Sequence, residues 1–193
     1  MINGNVPVIL ISALFVIVFG IRFLRNRNKD SLLRNFYYIL FGIYLSYVVS
    51  FTLFPLPYQT ELKELMIDEN LGVSNNLLPF AGIIESIQDG YYQDLITIAL
   101  NILLFIPFGF ALSILFEKLK KTSIILIGFF SSLVIESLQF TYSQYLGYNY
   151  RSFDVNDLIM NTLGTLIGVL IFTLLRRYLK EQNLLLNNNE NIV

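Results

Sequence analysis

Residues Leu95 to Phe116 read LITIALNILLFIPFGFALSILF, a run without one ionisable side chain. Crossing the hydrocarbon of a bilayer takes roughly 20 apolar residues, each adding about 1.5 Å of helical rise. The run meets that length and predicts a transmembrane helix. Working outward, Val6–Leu24 and Phe36–Phe54 precede it, the second stopped by Pro55 and Pro57. Ser123–Phe140 and Leu158–Leu175 follow it. The expected fold is all-α, an integral membrane bundle of about five transmembrane helices, because only helices satisfy their own backbone groups within one segment in lipid.

Composition agrees. The chain of 193 residues is 55% hydrophobic and 14% charged, with mean hydropathy +0.62. Soluble domains carry about 25% charged residues, so this chain lacks the polar side chains to cover a surface in water. It contains no Cys and no His. That excludes thiolate nucleophiles, disulfides, His general bases and Cys/His zinc sites. Val6–Leu24 has no basic residue before it and no small-residue cleavage pattern after it, so it reads as a retained anchor rather than a signal peptide.

Lys and Arg collect in the segments that stay in the cytoplasm. Arg22, Arg25, Arg27, Lys29 and Arg34 lie between the first two spans. Lys118, Lys120 and Lys121 lie between the third and fourth, and Arg176, Arg177 and Lys180 follow the fifth. Of the 13 basic residues, only Lys63 and Arg151 fall on the other side. Every loop therefore assigns the amino terminus to the outside and the carboxyl terminus to the cytoplasm. The outer segment 55–94 instead carries Glu61, Glu64, Asp68, Glu69, Glu85, Asp89 and Asp94. Within it, Phe80, Ile83, Ile84 and Ile87 recur at helical spacing with Glu85, Gln88 and Asp89 opposite, which predicts a short amphipathic helix on the outer leaflet or on the bundle top. From Gln182 to Val193 the chain is Asn-rich and aperiodic, and reads as a disordered tail.

Polar groups inside a span cost several kcal/mol unless paired, which makes them candidate functional positions. In span four, Ser132, Glu136, Gln139 and Ser143 form one helical stripe. In span five, Asp154, Asp157, Asn161 and Gly164 share a face that continues to Gly168, and the Gly164/Gly168 spacing permits close helix approach. Span three brings Thr97 and Asn101 in its outer third, and Pro107 predicts a bend near its middle by removing a donor from the Leu103 carbonyl. Spans three and five run inward while span four runs outward. Asn101, Glu136, Gln139, Asp157 and Asn161 therefore reach the same depth, with Arg151 and Asp154 just above. One reading is a satisfied polar network in which Arg151 neutralises a carboxylate. The other is an acidic pocket open to the outer leaflet, whose charge balance admits a divalent cation or paired-carboxylate acid/base chemistry. No cofactor motif is evident.

Four blocks carry a resemblance. They are Asn76-Leu77-Leu78-Pro79-Phe80, Asn101 through Phe110 (NILLFIPFGF), Ser132 through Gln139 (SLVIESLQ) and Arg151 through Gly164 (RSFDVNDLIMNTLG). In order and spacing the chain resembles the VanZ-like family of bacterial membrane proteins over about residues 37–178. The resemblance implies a division into an anchor with a basic loop (1–34), a VanZ-like membrane domain (35–180) and a tail (181–193). It implies that Asn76, Pro79, Asn101, Pro107, Glu136, Gln139, Arg151, Asp154, Asp157 and Asn161 are the family's characteristic positions. The founding member accompanies glycopeptide resistance clusters and is associated with low-level resistance to teicoplanin and related lipid-bearing glycopeptides. No reaction is attached to the family.

The leading expectation is an envelope protein whose acidic outer pocket engages a lipid-linked cell-wall precursor or a lipoglycopeptide, with membrane lipids as neighbours and no nucleic-acid partner. The competing expectation is a membrane-embedded enzyme acting on an undecaprenyl-linked or phospholipid substrate, with Glu136 and Asp157 as acid/base groups or metal ligands. The charge bias yields a first prediction. Reporter fusions after Asn28, Lys120 and Lys180 should read as cytoplasmic, and fusions after Gln59 and Tyr148 as external. One clear inversion among the five would break this topology.

Overall fold

The computed structural model describes residues 4–25, 32–57, 59–69, 72–80, 87 and 93–186. Five of its helices are long and apolar enough to cross a membrane. They are α1 (Asn5–Arg25), α2 (Leu32–Leu53), α4 (Gln93–Leu115), α5 (Lys121–Leu146) and α6 (Val155–Glu181), while the short α3 (Thr60–Asp68) lies between α2 and α4. Among the described residues there is no β-strand, only an isolated parallel bridge between Asn76 and Asp154.

The helices outrun the apolar stretches that announced them. Helix α5 continues past Phe140 through Thr141, Tyr142, Ser143 and Gln144 to Leu146. It stops at Gly147, whose φ of 82° is left-handed and whose amide reaches the Ser143 and Gln144 carbonyls. A residue without Cβ adopts that turn freely. Helix α4 runs unbroken through Pro107. The Tyr44 hydroxyl on α2 donates to the Leu104 carbonyl at 2.6 Å, close to the carbonyl deprived by the proline.

Helices α4 and α6 share the most extensive interface. Small residues make it possible. A Cβ added at Gly109 would strike the Thr165 carbonyl, one at Gly164 the Ile102 carbonyl, and one at Gly168 the Ile106 carbonyl. Gly128 on α5 likewise makes room for the Thr165 side chain. Without a hydrophobic drive between helices in lipid, such backbone proximity is what dispersion contacts require. Phe105, Phe108, Leu112, Ile124 and Val169 fill the buried centre, with Phe41 and Tyr44 of α2 packed against them. Helix α1 leans chiefly on α2. Phe15 covers Gly42, Phe19 stacks on Tyr38 at 4.7 Å, and Ser12 shares a 2.8 Å hydrogen bond with Ser46.

Helix α3 falls in a segment whose sequence predicts a helix further on, from Phe80 to Asp89. Of that stretch only Phe80 and Ile87 are among the described residues. Ile87 is helical, whereas Phe80 takes a left-handed φ of 65° inside a turn. Its amide donates to Asn156 Oδ1 at 2.7 Å, a partly buried bond that holds the turn in this conformation. Arg27 and Lys29 of the basic loop, and the tail from Asn187 onward, lie outside the described residues. Residues 182–186, which the sequence reads as the start of a disordered tail, instead fold back on the bundle, with Leu186 buried and the Leu184 carbonyl accepting from the Tyr37 hydroxyl at 2.8 Å.

The glycine contacts predict a stability pattern. Gly109→Ala and Gly168→Ala should each destabilise the protein in detergent by about 1–3 kcal/mol, since the obstructing atoms are backbone and cannot turn aside. Gly20→Ala, with nothing within 4 Å of the new methyl, should melt like the parent. Equal melting of all three variants would show that α4 and α6 are not in backbone contact.

Candidate functional site

The polar stripe of α5 is buried along its whole length, Ser132, Glu136, Gln139 and Ser143 alike. Burial in lipid demands a partner for each, and each partner comes from a different part of the chain. Ser132 Oγ accepts from Asn161 Nδ2 at 2.9 Å. Glu136, only 1% exposed, accepts the Asp154 amide on Oε2 at 3.0 Å. Gln139 Nε2 donates to the Thr52 carbonyl at 2.8 Å. Ser143 Oγ donates to the Arg151 carbonyl at 2.7 Å and accepts the Arg151 amide at 3.0 Å. The stripe thus fastens α5 to α2, to the turn before α6 and to α6 itself.

Asp154 is the hinge of this arrangement. It precedes α6 in extended conformation and caps it, its Oδ1 accepting the Asn156 amide at 2.7 Å. The same oxygen accepts from Asn76 Nδ2 at 3.0 Å. Backbone bonds from Asn76 N to the Phe153 carbonyl and from Val155 N to the Asn76 carbonyl complete a strand-like contact. Asn75 Oδ1 adds the Phe153 amide at 2.8 Å. Segment 72–80 is therefore stitched to the entrance of α6.

Below this seam lies a cavity of about 570 Å³. Thr97, Asn101, Glu136, Gln139, Arg151, Asp157 and Asn161, all singled out in the sequence, line it. Asn76 and Asp154 do not. They stand beside it and hold its rim. Asn101 Nδ2 donates to Asp157 Oδ1 at 2.5 Å, tying α4 to α6 across the cavity. Apart from Thr52, the rest of the wall is apolar, with Phe51 from α2 and Leu100 and Leu103 from α4. Those three are exposed, while Glu136 and Asn161 opposite them are buried. The cavity consequently opens sideways between α2 and α4, above the point where Tyr44 meets Leu104.

Arg151 forms no ion pair with Glu136 or Asp157. Its Nη2 donates to the Phe54 carbonyl at 3.0 Å, and its guanidinium lies 6.0 Å from the Tyr150 ring centre. Among the described residues the ion pairs are Arg176–Glu117 and Arg177–Glu181, both at the opposite end of the bundle. The reason is geometric. Helix α2 ends at Leu53, leaving its last carbonyls without intrahelical donors, and Gln139 and Arg151 supply donors at Thr52 and just beyond the helix at Phe54. Those backbone acceptors, and Asn156 beneath Phe80, escaped the sequence reading. A carbonyl has no residue type; only the helix stop at Pro55 hinted at it. As for a metal, among the described residues no three acidic side chains converge into a ligand group.

A model of the VanZ/LLP1 family matches residues 41–176, a range that includes Asn76, Asp154 and the residues lining the cavity. The chain is also similar to Protein VanZ of Enterococcus faecium, with 28% identity over 148 residues, covering 75% of this chain and 78% of that protein. No solved structure matches it.

The seam at Asp154 can be tested by amide hydrogen exchange. Asp154→Ala should cost about 1 kcal/mol of helix capping and should speed exchange in the peptides containing Asn76 and Asn156. Asp154→Asn keeps a good capping side chain and should exchange more slowly than the alanine variant. Indistinguishable exchange in parent and alanine variant would remove Asp154 from this role.

Proposed function

The chain belongs to the VanZ/LLP1 family and is a multi-pass protein of the bacterial plasma membrane, and from that premise we propose that it binds a lipid-linked molecule of the envelope in its polar cavity. In this reading the cavity lies at the outer ends of the helices, as the charge bias assigns it. Its ligand is a lipid-linked cell-wall precursor, or a lipophilic glycopeptide of the teicoplanin type, both of which join a polar head to an apolar chain.

The sideways mouth supports this reading above all. A pocket for a water-soluble ligand opens to water, whereas this one opens between α2 and α4 past Phe51, Leu100 and Leu103. A lipid tail can stay in the bilayer while the head passes between the helices to Asn101, Asp157 and Glu136. About 570 Å³ lies within the range of small-molecule sites, roughly 300–1,000 Å³. A binding role also fits the hydrogen bonds at the carboxylates. Glu136 receives a backbone amide and Asp157 a side-chain amide, which fixes both groups in place. No His or Cys is available to activate a nucleophile.

Three substitutions test the proposal. Glu136→Gln, Asp157→Asn and Arg151→Ala should each abolish protection against teicoplanin in a sensitised Gram-positive host, with membrane abundance near that of the parent. Leu103→Trp, which adds bulk at the mouth on an exposed position, should do the same. A purely architectural network would respond differently, since replacing a buried carboxylate by its amide removes a desolvation penalty and is tolerated. Wild-type behaviour of both Glu136→Gln and Asp157→Asn, in every phenotype that deletion of the gene causes, would refute the binding role.

A further inference from the structure

The seam between α2 and α4 does not close below the polar cavity. Past the bond from the Tyr44 hydroxyl to the Leu104 carbonyl, a slot of about 170 Å³ opens between the same two helices. Tyr37, Phe41 and Tyr44 line it from α2, and Pro107, Ala111 and Ile114 from α4. Its side chains are apolar except for the two tyrosine hydroxyls, and both of those are engaged. Tyr44 donates to Leu104 at 2.6 Å and Tyr37 to the Leu184 carbonyl at 2.8 Å. The slot offers a guest packing surface and no free polar side chain.

Helical spacing joins the slot to the cavity. On α4, Leu100 and Leu104 line the cavity and Pro107, Ala111 and Ile114 the slot, positions three or four residues apart that share one face. On α2, Phe51 belongs to the cavity and Tyr44, Phe41 and Tyr37 to the slot, again on one face. Leu100, Leu103 and Pro107 are exposed along this line, so the sideways mouth leads onto the slot over apolar side chains. The slot stops at Tyr37, against the segment that turns back from α6 at Asn183, where φ is 55° and Leu186 is buried. From Leu103 to Leu115 the path runs roughly 18 Å at about 1.5 Å per residue.

We infer that this slot seats the apolar chain of the same molecule whose polar head enters the cavity. The inference rests on the binding role proposed above, keeps its two candidate ligands and adds a second contact to it. Lipid is as apolar as the slot, so a chain leaving the bilayer gains dispersion against fixed aromatic rings and no hydrophobic drive. Such a gain is small, and the slot alone does not choose one chain among many. A head held in the cavity changes this, because it presents its own chain at high effective concentration. A chain without the head, or a head without the chain, is held at one end only.

Photo-crosslinking tests this in nanodiscs of phosphatidylglycerol containing the full chain. The probes are an undecaprenyl-linked cell-wall precursor and teicoplanin, each with a diazirine in its apolar chain, and labelled peptides are mapped by mass spectrometry. Labelling should concentrate in residues 37–44 and 107–115, about tenfold over the exposed Leu10, Leu14 and Ile17 of α1. Either probe doing so supports the inference, and the one that labels is the source. A fatty acid with the same diazirine and no head should label α1 and the slot alike. Glu136→Gln, or an excess of unlabelled probe, should lower slot labelling to the α1 level. Ala111→Phe should do the same, while a probe with its diazirine on the head still labels the cavity helices. Because the pattern is read first on the parent protein, it stands even where a variant fails to fold. Head labelling in the cavity with chain labelling spread evenly over the helices would overturn the seat and leave the binding role intact. Slot labelling that ignores both competitor and Glu136→Gln would show a site for any chain and likewise overturn it. Labelling of neither cavity nor slot above the fatty-acid control would overturn both readings together.

Discussion

Glu136 holds the amide of Asp154, and much of the architecture at this end of the bundle depends on that bond. A carboxylate inside a span is tolerated only where the protein supplies donors. Here the donor is the backbone of the residue that caps α6, so the position of a carboxylate on α5 fixes where α6 begins. Asp154 then reaches the other way and takes hold of Asn76. One buried acceptor thereby aligns two transmembrane helices and a segment that precedes α4. The glycine contacts between α4 and α6 act further along the same helices and set their separation, so that the Asn101 amide can reach Asp157.

What the sequence made legible was periodic or costly. The α5 stripe stands out because Ser132, Glu136, Gln139 and Ser143 repeat at helical spacing in a segment where polar groups are penalised. Helix depth followed from alternating direction, which is why Asn101, Asp157 and Asn161 could be brought to one level before any contact was known. Partners were harder. Arg151 looked like the natural counter-ion for a carboxylate, yet it turns to the Phe54 carbonyl. Charge signs are written in the sequence, but unfilled backbone acceptors are a product of where a helix stops. Helix α3 and the strand-like contact of Asn76 were likewise hidden, since α3 is only 9 residues long and low in overall hydrophobicity, and a single bridge has no period at all.

Helix α1 stands apart from the rest. The family match begins at residue 41, within α2, and α1 rests mainly on α2 through aromatic stacking and a serine pair. It contributes no residue to the cavity wall. Its role in this architecture is to cover the outer face of α2, the helix whose end supplies Thr52 and Phe54 to the site. The cavity is thus built by α2, α4, α5 and α6, with α1 as a support for one of its walls.

The sideways mouth changes the meaning of concentration for whatever enters. A guest arriving through water is counted in molar units, whereas one arriving past Leu100 and Leu103 is counted as a fraction of the surrounding lipids. Occupancy would then follow the make-up of the leaflet and not the dose in the medium. In the proposed binding role, a bilayer rich in the ligand would keep the cavity filled, and only a species that first dissolves in the membrane would compete for it. Two strains with identical protein but different lipid metabolism would differ in how much of that protein is free to act.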